Sequence, residues 1–87
     1  MSKMIVIAAR DSAIGAFGRP VFSPSVGSAV RSFVDEVNRK SEDNAFNAHP
    51  EDFDLHLLAE FDDTTGEFML PEDGRRVLAR AKDVKRE

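Results

Sequence analysis

A regular stripe of apolar residues between positions 26 and 37 constrains the fold of this 87-residue chain more than any other feature of its sequence. Its members recur at intervals of three and four, which places them on one face of an α-helix. Ser23 and Pro24 are the residue types expected at an N-cap and at the first helical position. We therefore predict a helix over residues 24–39 with its apolar face in the core. The stripe consists of Val26, Ala29, Val30, Phe33, Val34 and Val37.

Two segments have the patterns of β-strands. Residues 4–9 form a continuous, largely β-branched apolar run, which predicts a buried first strand over residues 4–10. Residues 53–62 alternate between apolar and polar, and a turn and a return strand follow them, so residues 53–70 are predicted to form a hairpin. One face of the alternating strand carries Phe53, Leu55, Leu57, Ala59 and Phe61, and the other carries Asp54, His56, Leu58, Glu60 and Asp62.

The remaining segments are two predicted loops and a second predicted helix. Residues 11–23 contain Gly15, Gly18 and Pro20, and residues 40–51 are polar without a period, so both are predicted to be loops. Residues 72–84 begin with acids after a proline and carry a short apolar stripe, which predicts a helix. That stripe consists of Val77, Leu78, Ala81 and Val84.

The element order β-α-β-β-α predicts an α+β fold in a single domain that spans residues 1–87. A strand–helix–strand connection of this length favours a right-handed crossover between parallel strands, and the hairpin then adds an antiparallel strand. We therefore expect a three-stranded mixed sheet packed with two helices. A small sheet with open edges often completes itself by dimerising, so a homodimer is also expected.

Charge is distributed unevenly along the chain. The net charge is −4, yet residues 41–70 carry nine carboxylates and no Lys or Arg, while both ends are mildly basic. Such segregation permits a basic surface on an acidic protein. The absence of cysteine excludes disulfides and zinc–thiolate sites. The apolar N-terminal run is too short for a signal-peptide core or a membrane span, so we expect a soluble, intracellular protein without membrane contact.

The loop before the first helix, together with the cations around it, is the strongest candidate site. Phe17 and Phe22 are candidates for stacking on unpaired bases, and Arg10, Arg19 and Arg31 are candidates for contacting phosphates. The free amides at the start of the helix offer a further anion contact. The alternative is that both phenylalanines fill the core of a chain without Trp or Tyr, and that the arginines are merely solvated.

A second group of polar residues has the chemistry of a metal or acid–base site. The alternative is the wet face of a half-buried strand, which we favour because no second element supplies a matching set of ligands. We accordingly predict no metal, no cofactor and no enzymatic activity. The group consists of His49, Glu51, Asp52, Asp54 and His56.

Several blocks of this sequence resemble the small non-structural protein of gokushoviruses, which are microviruses, tailless phages with circular single-stranded DNA genomes. The first block is the run from Arg10-Asp11 through Phe17-Gly18, Pro20, Phe22 and Pro24 to Ala29, Arg31, Phe33, Asp35 and Val37-Asn38. The second is His49-Pro50-Glu51-Asp52-Phe53-Asp54-Leu55, with Glu60-Phe61-Asp62-Asp63 and Gly66 after it, and a third lies at Ala79 to Asp83. The likeness covers residues 5 to 84.

The resemblance implies a non-capsid accessory protein in the bacterial host cytoplasm. It implies single-stranded DNA binding when the phage shifts from duplex genome synthesis to packaging, and it supplies no catalytic residues. The leading hypothesis is therefore a single-stranded DNA-binding protein. The alternative is a protein-interaction module whose acidic residues 42–67 engage a host or viral replication protein.

Overall fold

Two long antiparallel strands form the middle of the sheet in the computed structural model, which describes residues 3–86. They are β1 (Lys3–Asp11) and β4 (Phe53–Asp62), paired from Lys3 opposite Asp62 to Asp11 opposite Phe53. The outer side of β1 pairs with β2 (Ala16–Phe17) and β3 (Val21–Ser23), and the outer side of β4 pairs with β5 (Glu67–Met69) and β6 (Arg76–Arg80). All five pairings are antiparallel.

The predicted fold is wrong in its sheet and in its helix count. The described residues form a six-stranded antiparallel sheet with three short helices, not a three-stranded mixed sheet with two. The two long strands are antiparallel, so the expected right-handed crossover does not occur. The predicted loop at residues 11–23 contains β2 and β3, which are too short to leave a periodic signal.

The predicted helix at residues 72–84 is also wrong. Its first part is a turn, its middle is the edge strand β6, and only Ala81–Val84 are helical, as α3. Four apolar residues at mixed spacing fit a bulged strand followed by one helical turn as well as they fit a helix. Pairing with the edge of β4 decides between these structures, because tertiary contacts override weak local propensity.

Helix α1 (Val26–Val37) lies within the predicted range and buries the predicted face. Ala29, Phe33 and Val37 pack against the sheet, and Val37 is fully buried. The cap differs from the prediction, because the Oγ of Ser25 accepts the amide of Ser28 at 3.1 Å. Ser23 is buried instead, and its hydroxyl donates to the carbonyl of Ser25.

The core opposite α1 is formed by Ile7, Phe53, Leu55 and Leu57 of the two long strands, with Ala81 of α3.

Asparagine side chains donate hydrogen bonds to the last carbonyl groups of α1, where the helical ladder ends. The carbonyls of Val34 and Glu36 also accept backbone amides. Asn38 donates to Val34 at 2.8 Å and Asn47 donates to Val37 at 3.0 Å. The buried Asn44 donates to the carbonyls of both Glu36 and Arg39. The predicted loop at residues 40–51 is therefore ordered around the end of α1, and it contains α2 (Ala45–Ala48) and a 3-10 turn at Pro50–Asp52.

A β-bulge in β4 changes which side chains face α1. Val6 pairs with Ala59 and Ile7 pairs with Leu57, so Leu58 is an extra residue without a partner. The alternation predicted for this strand holds up to Leu57 and reverses beyond it. Phe61 consequently lies on the face away from α1, whereas the sequence pattern predicted it on the same face as Phe53.

Candidate nucleic-acid interface

One face of the sheet carries no helix among the described residues, and we call it the open face. Residues of α1, α2 and α3 all join the core on the opposite side. Directly opposed residues of antiparallel strands share a face, and successive residues alternate, so the register assigns each strand position. On the open face lie Met4, Val6, Ala8, Arg10, Phe17, Phe22, Asp54, His56, Ala59, Phe61, Phe68, Val77 and Arg80.

One end of the open face holds a group of cations around an aromatic pair. The rings of Phe17 and His56 meet edge to face, with their centroids 5.0 Å apart. The guanidinium carbon of Arg75 lies 5.8 Å from the centroid of Phe17, within the range of a cation–π contact. A shallow depression of about 490 Å³ opens here. We call this region, defined by Arg10, Phe17, His56, Arg75 and Arg80, the arginine patch. Arg76 also borders the depression, but it pairs with the core residue Leu57 and so belongs to the helix side of the sheet.

The charge of the arginine patch is mostly uncompensated. Arg80 pairs with Asp54 at 2.7 Å, but Arg10 and Arg75 form no ion pair with any residue in the range 3–86. Asp54 is the single carboxylate among the strand positions assigned to the open face. The acids farther along β4 face the other way, as the contact between Glu60 and Lys3 shows. An acidic protein thus presents a cationic surface at this end of the sheet.

The environment of His56 favours the neutral imidazole. Burial lowers the pKa of His56, and the cations of Arg10, Arg75 and Arg80 lower it further, while Asp54 acts in the opposite direction. At neutral pH His56 therefore contributes an uncharged ring to the arginine patch.

Three phenylalanines occupy the other end of the open face and form what we call the phenylalanine cluster. The ring of Phe61 lies 4.8 Å from Phe68 and 5.4 Å from Phe22, measured between centroids. Phe22 is 51 % exposed and Phe68 is 63 % exposed, which is high for side chains of this size. Exposed rings in contact with one another form an apolar patch of a kind that commonly marks a binding surface.

Comparison with known protein families identifies the origin of the chain. Residues 4–84 match the family described as Phage ORF5 protein. The chain belongs to this family. No protein with curated annotation and no solved structure matches it. Among residues 3–86 of this Phage ORF5 family member, no helix is long and apolar enough to cross a membrane.

The fold of the Phage ORF5 family member brings three of the five predicted site residues to one surface. Arg10, Phe17 and Phe22 lie on the open face, and both phenylalanine rings point outward rather than into the core. Arg19 lies on the helix side of the sheet, beside α1, and Arg31 lies on the exposed side of α1.

Sequence reasoning missed several residues of the open face. The sequence predicts a helix at Arg75, places Phe61 on the same face as Phe53, and places Phe68 in the return strand of the hairpin without assigning it a face. Gly74 could have indicated the turn before β6, because it adopts a positive φ of 85°. Nothing in the sequence indicates the bulge that turns Phe61 to the open face.

The predicted polar group is split between two places in the Phage ORF5 family member. The ligand atoms of His49, Glu51 and Asp52 lie within 4.8 Å of one another at the 3-10 turn. Asp54 and His56 instead lie on the open face, where they contact Arg80 and Phe17. The group is therefore not one site.

Proposed function

We propose that this phage protein binds single-stranded DNA along the open face without catalysing a reaction. The observation that carries the proposal is that exposed aromatic rings and uncompensated arginines share one uncovered face of the sheet. Arginines neutralise phosphates, and aromatic rings stack on bases that are free of a complementary strand. In duplex DNA the base faces are already stacked, so the rings favour a single strand.

The sheet supports both kinds of contact along one path. The arginine patch lies beside the start of β4 and the phenylalanine cluster beside its end, about seven residues apart. At about 3.3 Å per residue this corresponds to roughly 23 Å, a distance that several nucleotides of an extended strand can span. A single strand would thus place phosphates at Arg10 and Arg75 and stack bases on Phe17 and Phe22.

The resemblance to gokushovirus proteins supports the same assignment. Phages with circular single-stranded genomes must hold newly made single strands before packaging. An accessory protein that covers such strands during the switch from replication to packaging would fit this need. The net charge of −4 does not oppose the proposal, because the acids of β4 beyond the bulge lie on the other side of the sheet.

Fluorescence anisotropy with a labelled oligothymidine across a salt series tests the proposal. Each neutralised phosphate of a single strand contributes about −0.7 to the slope of log K against log salt. The two unpaired arginines of the open face, Arg10 and Arg75, therefore predict a slope of about −1.4. A duplex of equal length should bind more weakly. Absence of oligothymidine binding at low salt by the folded protein would refute the proposal.

Two matched arginine variants locate the interface. Arg75→Ala removes a cation from the arginine patch, and Arg31→Ala removes an exposed cation from α1. We expect the first change to weaken binding and flatten the salt slope by about 0.7, and the second to leave both unchanged. Equal effects of the two changes would indicate binding by bulk charge rather than by the open face.

The alternative that acidic residues 42–67 form an interaction surface receives less support. Asp54, Glu60 and Asp43 each contact a cation of the same chain, at Arg80, Lys3 and Arg39. Glu60 and Asp54 also lie on opposite faces of β4. The acids therefore do not combine into one continuous surface.

A further inference from the structure

A groove separates β3 from α1 on the helix side of the sheet, away from the open face. Its volume is about 280 Å³, compared with about 150 Å³ for an engineered cavity that accepts benzene. The core residues Ile7, Ala29, Phe33 and Leu55 form its base, and Arg19 and Val21 line it at the β3 side. We call it the edge groove.

The strand beside the edge groove has an unpaired side. Residues Val21–Ser23 of β3 pair with β1, and no other described strand lies beyond them. Val21 is 51 % exposed. An open strand edge next to an apolar groove is the arrangement in which an extended peptide adds to a sheet, with backbone hydrogen bonds along the edge and alternate side chains in the groove.

The charge at the edge groove is positive. Arg19 forms no ion pair with any of residues 3–86. The carboxylate of Glu36, which also lines the groove, accepts hydrogen bonds from Arg39 as short as 2.7 Å. The Arg39 guanidinium accordingly holds the pKa of Glu36 below its usual value. The uncompensated cation is therefore Arg19, which favours an anionic group on whatever binds.

We propose that the edge groove binds an extended peptide segment of a partner protein, with apolar side chains in the groove and a carboxylate on Arg19. A nucleobase suits the groove poorly, because the aliphatic and aromatic walls would leave its polar edge without hydrogen-bond partners. The edge groove and the open face lie on opposite sides of the sheet. The protein can therefore hold a partner while its open face remains accessible.

Amide NMR titration of the full 87-residue protein tests this inference with two defined peptides. The probe is Val-Thr-Asp-Thr-Phe, in which both apolar side chains and the carboxylate share one side of an extended chain. In the control peptide the Asp is replaced by Lys. We expect the acidic peptide to shift the amides of residues 19–23 and of α1 around Ala29 and Phe33. The lysine peptide should bind at least about tenfold more weakly.

Variants at exposed positions separate groove binding from general charge attraction. Arg19→Glu should weaken binding of the acidic peptide at least about tenfold, whereas Arg31→Glu, on the exposed side of α1, should leave it unchanged. Ser32→Phe should obstruct the mouth of the groove and also weaken binding. Neither Arg19 nor Ser32 is buried, so the variants are expected to fold.

Four results would overturn the inference. The first is an absence of shifts in groove residues at up to about 1 mM acidic peptide. The second is equal weakening by Arg19→Glu and Arg31→Glu. The third is that oligothymidine, rather than the peptide, shifts the groove amides. The fourth is that these amides move with protein concentration alone, which would show a second copy of the chain in the groove. If the protein binds the acidic peptide but does not bind oligothymidine, only the proposed function is refuted.

Discussion

The ring of Phe17 meets the ring of His56 edge-on at 81°, and this contact fixes an imidazole beneath the cations of the arginine patch. Burial, Arg10, Arg75 and Arg80 together lower the pKa of His56 in the folded protein below its ordinary value of about 6.5. The unfolded chain therefore binds the proton more readily. Stability is complete above the unfolded pKa and declines as pH falls through it.

We predict that the free energy of unfolding in urea decreases between pH 7.5 and pH 5.5, and that His56→Gln removes part of this decrease. His49→Gln, at an exposed position, is the control and should retain the wild-type difference. If His56→Gln and the wild type lose the same free energy over this interval, His56 is not the group responsible.

Phe22 is expected to contribute stacking rather than stability. Its ring is half exposed and lies outside the core, so Phe22→Ala should leave the fold intact. Loss of one stacked base costs about 1–3 kcal/mol, which corresponds to roughly 5- to 150-fold weaker oligothymidine binding. The exposed Leu70 lies outside the phenylalanine cluster, so Leu70→Ala is the control and should bind normally. Normal binding by Phe22→Ala would exclude the phenylalanine cluster from the DNA path.

Asn38 joins the end of α1 to the C-terminal segment. Its amide donates to the carbonyls of Val34 and Val84, and its side-chain oxygen accepts the amide of Arg86 at 2.6 Å. We predict that Asn38→Ala lowers the free energy of unfolding by about 1–3 kcal/mol, because the Val84 carbonyl and the Arg86 amide lose their partners. Hydrogen exchange of residues 81–86 should accelerate as well.

The control for Asn38 is Ser41→Ala, which removes an exposed hydrogen bond to Asp43 and should change stability by less than about 0.5 kcal/mol. Unchanged exchange at residues 81–86 in Asn38→Ala would show that the C-terminal segment is held by its apolar contacts alone.

Two glycine-to-alanine changes should alter the free energy of unfolding in opposite directions. Gly66, in the turn between β4 and β5, has a φ of 80°, so Gly66→Ala should destabilise the protein by about 1–2 kcal/mol. Gly27 lies inside α1 with open space around its missing side chain, so Gly27→Ala should stabilise by about 0.5–1 kcal/mol. Thermal and urea unfolding measure both changes. A stabilising Gly66→Ala would contradict the turn geometry.

The sequence predicts elements whose burial pattern is long and regular. Helix α1 has its apolar residues at helical spacing over three turns, and β1 is a continuous apolar run. Each pattern follows from burial of that element against one core, so it can be read without knowing which element packs against it. The beginning of β4 is predictable for the same reason. The sequence identifies Phe17 and Phe22 as candidate site residues because both lie in the loop just before a helix start, beside cations.

The sequence does not predict elements that depend on a neighbour. β2 and β3 have two and three residues, and β6 exists because the edge of β4 offers it hydrogen bonds. Arg75 reaches the arginine patch only because β6 begins beside it. Its role therefore depends on the antiparallel register of residues far apart in the chain, which a local pattern does not contain.

The extra residue Leu58 in β4 determines the charge of the open face as well as its shape. With strict alternation, Glu60 and Asp62 would lie on the open face, and Phe61 would lie on the helix side of the sheet. The same amino acids would then present an acidic surface where the protein now presents aromatic rings. An insertion or deletion of one residue near Leu58 in a related protein would thus exchange the aromatic and acidic faces of β4 while leaving the amino-acid composition almost unchanged. Relatives should therefore be compared by strand register as well as by residue identity.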